Sequence, residues 1–440
     1  MKKVLIVGYF RPYFPYGSAR VPGLAKYLRE FGWQPVILTP LKTQPPADDR
    51  FGIAQTPYPG DVLSPARKLL AFLGLSRRES GITEELKGKI GAHGTKTVVE
   101  RLRDLYLELF AYPDSEKKWR RPALATARAF LNHEPADALL SVWPVTSHLI
   151  AKELKSEYQL PWIADFPDPW SENHAYYYGR IRKWLDWRLE RRTLSDADAL
   201  TAAAPTYAKK ESAVTGRPCE TILHGFEPEK INRAEPPHTE KLTIAYTGTI
   251  YRGYQDPTKL LDAITSLSEA NLIKKERIEV NFYGRDQDWL AEEIRTRHLE
   301  KTVKIHGLIS REEAIARQHA SQLLLMFGWE SKKEVGGIPY KMYEYLAARR
   351  PILITGGFPQ DDMVRIIASL HGGVHAPTIA DIKTALLGFY EKHRSAGILL
   401  AKSKLEDIEK LSYREMARKF AAILDRIYSK TPRELDSTTD

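Results

Sequence analysis

Cysteine and long apolar runs are what this sequence has least of. Cys219 is the only cysteine in 440 residues. This excludes an internal disulfide and an all-cysteine metal site, and it fits a reducing compartment. No apolar run approaches the ~20 residues needed to span a bilayer. The first ten residues, MKKVLIVGYF, have a short apolar run and no cleavage site, so they predict a strand and not a signal peptide. We therefore expect a cytoplasmic protein.

Several enzyme signatures are also absent. The sequence has no P-loop, nucleophile elbow, metal-ligand spacing or internal repeat. The turn after the first predicted strand lacks the spaced triple glycine of dinucleotide sites, which disfavours NAD. The formal charge of +10 fits anionic partners, but the basic residues do not accompany stacking aromatics on a recognisable nucleic-acid module. We expect no metal, no cofactor and no nucleic acid.

Most of the chain alternates apolar strands with amphipathic helices, which predicts an α/β fold. Lys3–Gly8 and Val36–Leu38 are predicted strands on either side of a helix that Ser18 can cap, which makes a βαβ start. The alternation lapses over about 43–134, where basic amphipathic stretches predict a largely helical insertion in the N-terminal domain. It stops again over 228–240, where prolines and charges without periodicity predict a linker.

The stretch GGIPYKMYEYLAARRPILIT, residues 336–355, predicts a helix, a tight turn and a buried strand. Lys341 and Glu344 are neighbours on a flank away from the apolar helix face. Gly336 and Gly337 allow the backbone to approach a ligand closely, and a helix N-terminus attracts phosphate. A carboxylate such as Glu344, one or two turns further, can accept hydrogen bonds from ribose hydroxyls. The stretch therefore predicts a nucleoside diphosphate site; a glycine turn and a solvated glutamate are the simpler alternative.

The string KMYEYLAARRPILI resembles the donor-binding helix of retaining glycosyltransferases of the two-Rossmann (GT-B) type, family 4, of the bacterial polysaccharide and glycoconjugate kind. In that family two glutamates stand eight positions apart, and the second holds the donor ribose. Glu344 matches the second glutamate, but Gly336 occupies the first position, so half of the motif is missing. The resemblance implies two Rossmann-like domains that face one another across a cleft.

Two strings in the first half carry the same resemblance. The aromatic, glycine-rich loop after the first strand resembles the family's first loop, which implies that Gly17 and Ser18 face the donor diphosphate and Arg20 the acceptor. The string DFPDPW resembles the Asp-Phe-Arg-Asp-Pro-Trp of bacterial polysaccharide glycosyltransferases, with proline replacing the arginine. It implies that Asp165 contacts the acceptor and that Asp168 contacts it or acts as a base. Two carboxylates three residues apart are also common in turns.

The second half supplies the remaining donor contacts that the resemblance implies. The family carries an arginine and a lysine after the first strand of its second domain. Arg252 matches one of them, whereas Thr249, beside Gly248, replaces the other. Arg252 and Lys341 would stabilise the charge of the leaving diphosphate. The nucleobase is implied to lie against Gly284, Arg285 and the backbone at Leu308.

The expected organisation combines the resemblance with the alternation of elements. Residues 1–227 are expected to form a Rossmann-like acceptor domain, and residues 241–410 a Rossmann-like nucleotide-sugar domain. A helix over 411–430 is expected to cross back onto the first domain. Residues 431–440, rich in charged and small polar side chains, are expected to be a disordered tail.

The resemblance implies transfer of a hexose-type sugar from a nucleotide-diphosphate sugar to a hydroxyl of a glycan, lipid-linked glycan or other glycoconjugate, with retention and without metal. A nucleotide-sugar 2-epimerase shares the architecture, but the additional His and carboxylate acid–base set that it needs cannot be assembled from the sequence. A degenerate transferase acting as an assembly subunit is the non-enzymatic alternative, because Gly336 and Thr249 stand where functional side chains are expected.

The insertion has two interpretations. Its stretch SPARKLLAFLGLSRR predicts a helix that could lie on anionic lipid, and Trp119 lies among four basic residues in a similar way. The membrane interpretation would make the protein peripheral at the inner face of a membrane. An ordinary helical insertion with a solvated basic face is the alternative.

Overall fold

The structure is a computed structural model that describes residues 1–10, 19–40, 50–64, 98–173, 176, 178–232, 234, 237–285, 287–331 and 336–430. These residues divide into two compact units, one containing those up to 225 and 413–430, the other containing 226–412. Each unit has one parallel sheet with helices, so the expected α/β class with two Rossmann-like sheets is confirmed. The predictions for Gly17, Ser18, residues 65–78 of the insertion and the 431–440 tail lie outside the described residues.

The first unit is built on a seven-stranded parallel sheet. Its strands are β1 (Lys2–Val7), β2 (Trp33–Pro40), β3 (Gly52–Thr56), β4 (Ala138–Ser141), β5 (Trp162–Phe166), β6 (Ala199–Ala202) and β7 (Cys219–Thr221). They lie in the order β3-β2-β1-β4-β5-β6-β7. Apolar runs such as that of β1 are buried because helices cover parallel sheets. The strand order reverses beside β1, a position where open α/β sheets bind ligands at the carboxyl ends of the strands.

The helices that follow these strands are α1 (Arg20–Leu28), α2 (Val98–Phe110), α3 (Arg120–His133), α4 (Val145–Tyr158), α5 (Arg180–Leu194) and α6 (Pro205–Thr215). The described part of the predicted insertion is therefore helical in α2 and α3. It also contains β3, which extends the sheet in parallel with β2 and was not predicted.

The second unit is built on a six-stranded parallel sheet. Its strands are β8 (Leu242–Thr247), β9 (Ile278–Tyr283), β10 (Val303–Gly307), β11 (Leu323–Phe327), β12 (Ile352–Thr355) and β13 (Gly373–Ala376). They lie in the order β10-β9-β8-β11-β12-β13, so this order reverses beside β8. The carboxyl ends of β8 and β11 are the corresponding ligand position in this sheet.

The helices of the second unit are α7 (Thr258–Glu269), α8 (Leu290–Arg295), α9 (Arg311–Ala320), α10 (Tyr340–Ala347), α11 (Asp362–Ser369), α12 (Ile379–Ala396) and α13 (Leu405–Glu409). Ser310 caps α9 as its sequence predicts, because its hydroxyl accepts a hydrogen bond from the Glu313 amide. Helix α10 begins directly after Pro339 and carries both Lys341 and Glu344.

The last helix, α14 (Tyr413–Tyr428), belongs to the first unit and packs against α1. A Cβ at Gly23 of α1 would lie 2.4 Å from the ring of Tyr413, so this close approach of the helices requires glycine. The apolar face of α14 joins the core formed by β1, β2, β4 and α1. Within the described ranges, no helix is both long enough and apolar enough to cross a membrane.

Two tryptophans lie in places that the sequence did not predict. Trp184, an apolar residue that would ordinarily pack beneath its helix, is 51% exposed, because α5 buries its charged face. The ion pair between Arg182 and Asp186 lies on that buried face, at 3.0 Å. Trp119, expected on a basic surface, is completely buried and donates a hydrogen bond to Thr56 Oγ1 at 2.7 Å.

Candidate functional site

Glycine marks the carboxyl ends of the second sheet. Five of its six strands end in glycine or are followed by it: Gly248, Gly284, Gly307, Gly328 and Gly356. A Cβ at Gly284 would lie 2.0 Å from the carbonyl oxygen of Gly248. The loops after β8 and β9 therefore touch backbone to backbone, and the Gly248 carbonyl also accepts a hydrogen bond from Gln287 Nε2 at 2.9 Å.

The ammonium of Lys341 lies over this glycine edge. Its Nζ donates a hydrogen bond to the Tyr246 hydroxyl at 2.7 Å and sits 4.0 Å from the centre of that ring. The Tyr246 hydroxyl in turn donates to the Thr249 carbonyl at 2.8 Å. Burial raises the pKa of Tyr246 well above its usual value, so the hydroxyl keeps its proton. A Cβ at Gly248 would approach Lys341 Nζ to 2.5 Å, so glycine is what admits the cation here.

Glu344 lies one turn further along α10, and Arg311 is its partner. Its Oε1 accepts hydrogen bonds from Arg311 Nε and Nη2 at 3.2 and 3.1 Å. Gln318 Nε2 bridges Glu344 Oε2, at 3.4 Å, and Thr247 Oγ1, at 3.0 Å. The carboxylate is thus tied to the end of β8, while a fifth of its side chain stays exposed. The contact of Arg311 with Glu344 was not predicted from the sequence. The feature that could have indicated it is the position of Arg311 at the start of α9, directly after the capping residue Ser310.

An aromatic pair lies at the ends of β9 and β10, beside Gly284. The rings of Tyr283 and His306 stack with centres 4.5 Å apart and planes 15° apart. His306 Nε2 lies 2.7 Å from Asn281 Oδ1, and burial lowers the pKa of His306, so its ring is neutral near pH 7. The guanidinium of Arg317 lies 5.9 Å from the Tyr283 ring centre. Sequence reasoning missed this pair, which offers planar surfaces to a base.

The structure therefore brings together only part of the predicted donor set. Gly248, Thr249, Gly284, Lys341 and Glu344 meet at the ends of β8 and β9. Leu308 is exposed directly after Gly307, whose carbonyl accepts from the Gly284 amide. Other predicted donor residues lie near this edge in the chain, but the described contacts do not join them to it: Arg285, Gly336 and Gly337.

Arg252, which the resemblance implies as a phosphate ligand, contacts an aromatic ring in this structure. Its guanidinium lies over the Trp289 ring, 5.2 Å from the centre. The side chain is exposed at the start of the loop that leads to α7.

In the first unit, Arg20 and Asp165 correct the expectation of acceptor contacts. Both side chains are buried, and they pair through Nε–Oδ2 at 2.6 Å and Nη2–Oδ1 at 3.0 Å. The Thr201 hydroxyl donates to Asp165, and Arg20 also donates to the Ile222 carbonyl. Since each group is satisfied inside the unit, the pair fixes the ends of α1, β5 and β6 and presents no free group to an acceptor.

Asp168 differs from Asp165 in that it is exposed, in the loop after β5. The two carboxylates of DFPDPW therefore do not act as a pair. His148, which lies near in sequence, is buried against the Ser141 hydroxyl at 2.7 Å. Burial lowers the pKa of His148 to about 3, so it is a neutral structural residue.

Glu116 is a buried carboxyl group that sequence reasoning missed. It accepts a hydrogen bond from the Tyr9 hydroxyl at 2.7 Å, just past the end of β1. Burial, with Asp114 and Asp61 nearby, raises the pKa of Glu116 to about 7. The Trp119 and Trp143 rings lie edge-on to Tyr9. Among the described residues, no group of three His, Cys, Asp or Glu side chains is placed to hold a metal ion.

Residues 17–218 match a family model described as a glycosyl transferase 4-like domain. This match rests on the first half of the sequence and is independent of the helix string around Glu344. The expected class of enzyme, a glycosyltransferase, is thereby confirmed. Among curated protein sequences, none matches this chain.

Solved structures share the fold over almost the whole length of the chain. Sucrose-phosphate synthase from Thermosynechococcus elongatus is 11% identical, with a TM-score of 0.59, and the match covers 98% of this chain and 100% of that one. A glycosyltransferase from Rickettsia africae ESF-5 is 14% identical, with a TM-score of 0.56 and coverage of 97% and 98%. WaaG, a glycosyltransferase involved in lipopolysaccharide biosynthesis, is 12% identical, with a TM-score of 0.54 and coverage of 96% and 99%. At these identities the likeness shows the fold that accompanies the glycosyl transferase 4-like domain.

Proposed function

We propose that this chain transfers a hexose-type sugar from a nucleotide-diphosphate sugar to a hydroxyl of a glycan, lipid-linked glycan or other glycoconjugate. The observation that carries the proposal is the ammonium of Lys341, held by Tyr246 over Gly248 at the end of β8. A cation above a glycine-lined edge, where the strand order reverses, suits a diphosphate. WaaG, which shares the fold, is described as acting in lipopolysaccharide biosynthesis, and this supports a glycoconjugate acceptor.

The donor is assigned to the second unit. Its phosphates lie against Gly248 and Gly284, with Lys341 as the fixed cation and Arg252 as a second cation that is released from Trp289. Gly336 and Gly337, at the start of α10, leave room for the same phosphates. The ribose donates hydrogen bonds to Glu344. The base stacks beside Tyr283 and His306, close to Arg285 and Leu308.

The chemistry follows from where negative charge develops. As the glycosidic bond breaks, charge grows on the leaving diphosphate, and Lys341 stabilises it without reorganisation because Tyr246 already holds the ammonium. In our proposal the reaction retains the anomeric configuration and uses no metal, and the leaving phosphate accepts the acceptor's proton. Hence no covalent nucleophile and no cofactor beyond the donor is assigned. Asp168 is the exposed carboxylate that we assign to the acceptor hydroxyl.

Nucleotide binding tests the role of Glu344. Titration calorimetry with UDP, GDP and dTDP identifies the base that binds. Glu344→Ala is expected to weaken binding of that nucleotide by about 10–100-fold, since a hydrogen bond to a charged group contributes about 1.5–3 kcal/mol. Arg311→Ala is the matched control, because it removes only the partner of the same carboxylate. Binding unchanged in Glu344→Ala, or weakened equally by Arg311→Ala, contradicts the ribose assignment.

Radiolabelled UDP-, GDP- and dTDP-sugars test the reaction itself. Slow hydrolysis of one donor, or transfer to a glycan acceptor, is the expected result, and Lys341→Met is expected to remove it. Formation of the 2-epimer would favour the epimerase alternative. Nucleotide binding without turnover of any donor would favour the degenerate transferase. We further propose that the protein works in the cytoplasm, in peripheral contact with an anionic membrane.

A further inference from the structure

Helix α5 buries charged side chains and exposes apolar ones. Its two acidic residues, Asp186 and Glu190, are buried, whereas three of its apolar residues, Ile181, Trp184 and Leu185, are exposed. Ile181 is 79% exposed, on the first turn of the helix. The exposed residues recur every three or four positions, so they form one stripe. The helix buries its charged face in place of this apolar stripe. The buried charges therefore need ion-pair and hydrogen-bond partners beneath the helix.

Arg182 provides that compensation and joins α5 to the end of α2. Its guanidinium pairs with Asp186 at 3.0 Å and lies between the rings of Tyr112 and Tyr178. It also donates to the carbonyls of Glu108 and Ala111 at 2.8 and 2.6 Å. These contacts hold the carboxyl end of α2 against the first turns of α5.

Helix α2 exposes apolar residues beside this junction. Leu109 is 64% exposed, and Leu105 and Phe110 are more than half exposed. Among the described residues there are thirteen exposed large hydrophobic side chains, and seven of them belong to α2 or α5. Such clustering is unusual for a surface without a partner. We name as the α2/α5 surface the side chains of Leu105, Leu109, Phe110, Ile181, Trp184 and Leu185.

The exposed charged residues of α5 beside this surface are all basic. Arg180, Arg188, Arg191 and Arg192 of α5 are exposed. The guanidinium of Arg188 lies 4.8 Å from the Trp184 ring centre, and that of Arg191 lies 4.6 Å from the Trp187 ring centre. Two nearby carboxylates have partners: Glu108 accepts from the Gly179 amide at 3.0 Å, and Glu172 pairs with Lys183 at 2.9 Å. The exposed face therefore presents apolar side chains with arginines beside them.

We propose that the α2/α5 surface docks on an anionic lipid membrane. Leu, Ile, Phe and Trp side chains would enter the headgroup boundary, and arginines stacked on tryptophan would meet the lipid phosphates. Each basic residue near such a surface contributes ~1 kcal/mol. This surface differs from the segments that the sequence suggested, because Trp119 is buried. It stands on its own observations and deepens the membrane contact of the proposed function without depending on glycosyl transfer.

Vesicle co-sedimentation of the full chain tests the proposal. The protein is expected to pellet with vesicles of phosphatidylcholine and phosphatidylglycerol, less so as salt rises, and not with phosphatidylcholine alone. Leu109→Ser/Trp184→Ser is expected to weaken binding at least about tenfold, since each side chain loses on the order of 1–2 kcal/mol of apolar burial. Arg188→Gln/Arg191→Gln is expected to weaken it about 30-fold through charge. The matched control is Leu272→Ser/Leu400→Ser, which changes two equally exposed leucines of the second unit.

A site-specific probe places the contact. In a Cys219→Ser background, an environment-sensitive dye at Leu109→Cys is expected to shift to the blue with anionic vesicles, and the same dye at Leu272→Cys is not. Absence of pelleting, equal binding to neutral vesicles, or equal loss in the control pair overturns the proposal. So does a concentration-dependent dimer that Leu109→Ser/Trp184→Ser abolishes, because a second copy would then cover the surface. Nucleotide calorimetry on the same variant, unchanged if it folds, separates this outcome from failure of the proposed function.

Discussion

The carboxyl ends of the two sheets carry different kinds of residue. In the second sheet, glycines end or follow five of six strands, and an ammonium and a carboxylate from α10 stand over them. In the first sheet only β1 is followed by glycine, Gly8, and the edge is filled by aromatic rings and by polar groups that bind one another. The second edge places an ammonium and a partly exposed carboxylate over its glycines, whereas the first uses its charges for its own architecture.

This difference separates charged residues that bind from those that support. Arg20 and Lys341 are both cations near the end of a parallel strand. Arg20 is buried and saturated by Asp165 and by backbone carbonyls, whereas Lys341 is held by a tyrosine hydroxyl beside space that only glycine leaves. The described contacts therefore favour donor binding in the second unit and a structural role for the buried charges of the first.

Removal of the Arg20 side-chain charge is expected to have the largest effect on the free energy of unfolding. Arg20→Met leaves the buried carboxylate of Asp165 without its partner, which costs about 3–5 kcal/mol of unfolding free energy. Urea denaturation measures this loss. Adding Asp165→Asn to Arg20→Met is expected to recover part of the lost stability, because the double variant no longer buries an unpaired carboxylate. Arg394→Met, at an exposed position, serves as the control. Its free energy of unfolding is expected to change by no more than about 0.5 kcal/mol. A stable Arg20→Met protein with a raised acceptor KM would restore the acceptor role that the burial argues against.

The sequence predicted elements whose signal is local. The first strand, predicted over Lys3–Gly8, is found at Lys2–Val7, because its Val-Leu-Ile-Val stretch is the continuous apolar run of a buried parallel strand. Strand β3, GIAQT, escaped prediction because it lies at the sheet edge and its side chains are only partly apolar. The string around Lys341 and Glu344 could be recognised because one helix carries both residues.

Local sequence patterns could not predict which distant residues contact one another. Arg20 and Asp165 are 145 positions apart, and nothing in either string shows that they neutralise each other. Arg311 and Glu344 are 33 apart, so the partner of the proposed ribose carboxylate was missed. The buried face of α5 was not predicted either, since Arg182 donates to the carbonyls of Glu108 and Ala111, which are 74 and 71 positions away.

Glu116 provides the next test, through pH. Its pKa is raised from 4.5 to about 7, mainly by burial, so the folded state holds a proton that the unfolded state has lost. The stability that this proton contributes is complete below about pH 4.5 and is lost as pH rises through 7. Glu116→Gln is therefore expected to gain stability relative to the parent between pH 5 and 8, by up to about 3 kcal/mol. Denaturant melts at several pH values measure the difference.

Two features make this pH test specific. In Glu116→Gln, Tyr9 can still donate its hydroxyl proton to the oxygen of the introduced side-chain amide, so the buried hydrogen bond survives the change. Glu391→Gln, at an exposed position of α12, is expected to show no such dependence. A flat difference between Glu116→Gln and the parent across this range would mean that Glu116 is ionised and hydrated, and the first sheet edge would then be open in the way the second is.

The smallest expected effect compares two glycines, one from each sheet edge. A Cβ at Gly284 would meet the Gly248 carbonyl at 2.0 Å, and backbone must move to admit it, so Gly284→Ala is expected to cost about 2 kcal/mol of unfolding free energy. A Cβ at Gly8 meets its nearest neighbours at 3.4 Å, an ordinary contact, so Gly8→Ala is expected to change stability by less than about 0.5 kcal/mol. Since the displaced carbonyl adjoins Lys341, Gly284→Ala should also weaken nucleotide binding and Gly8→Ala should not. Equal behaviour of the two variants would mean that glycine at the second edge serves the turn alone, and the distinction between a binding edge and a supporting edge would fail.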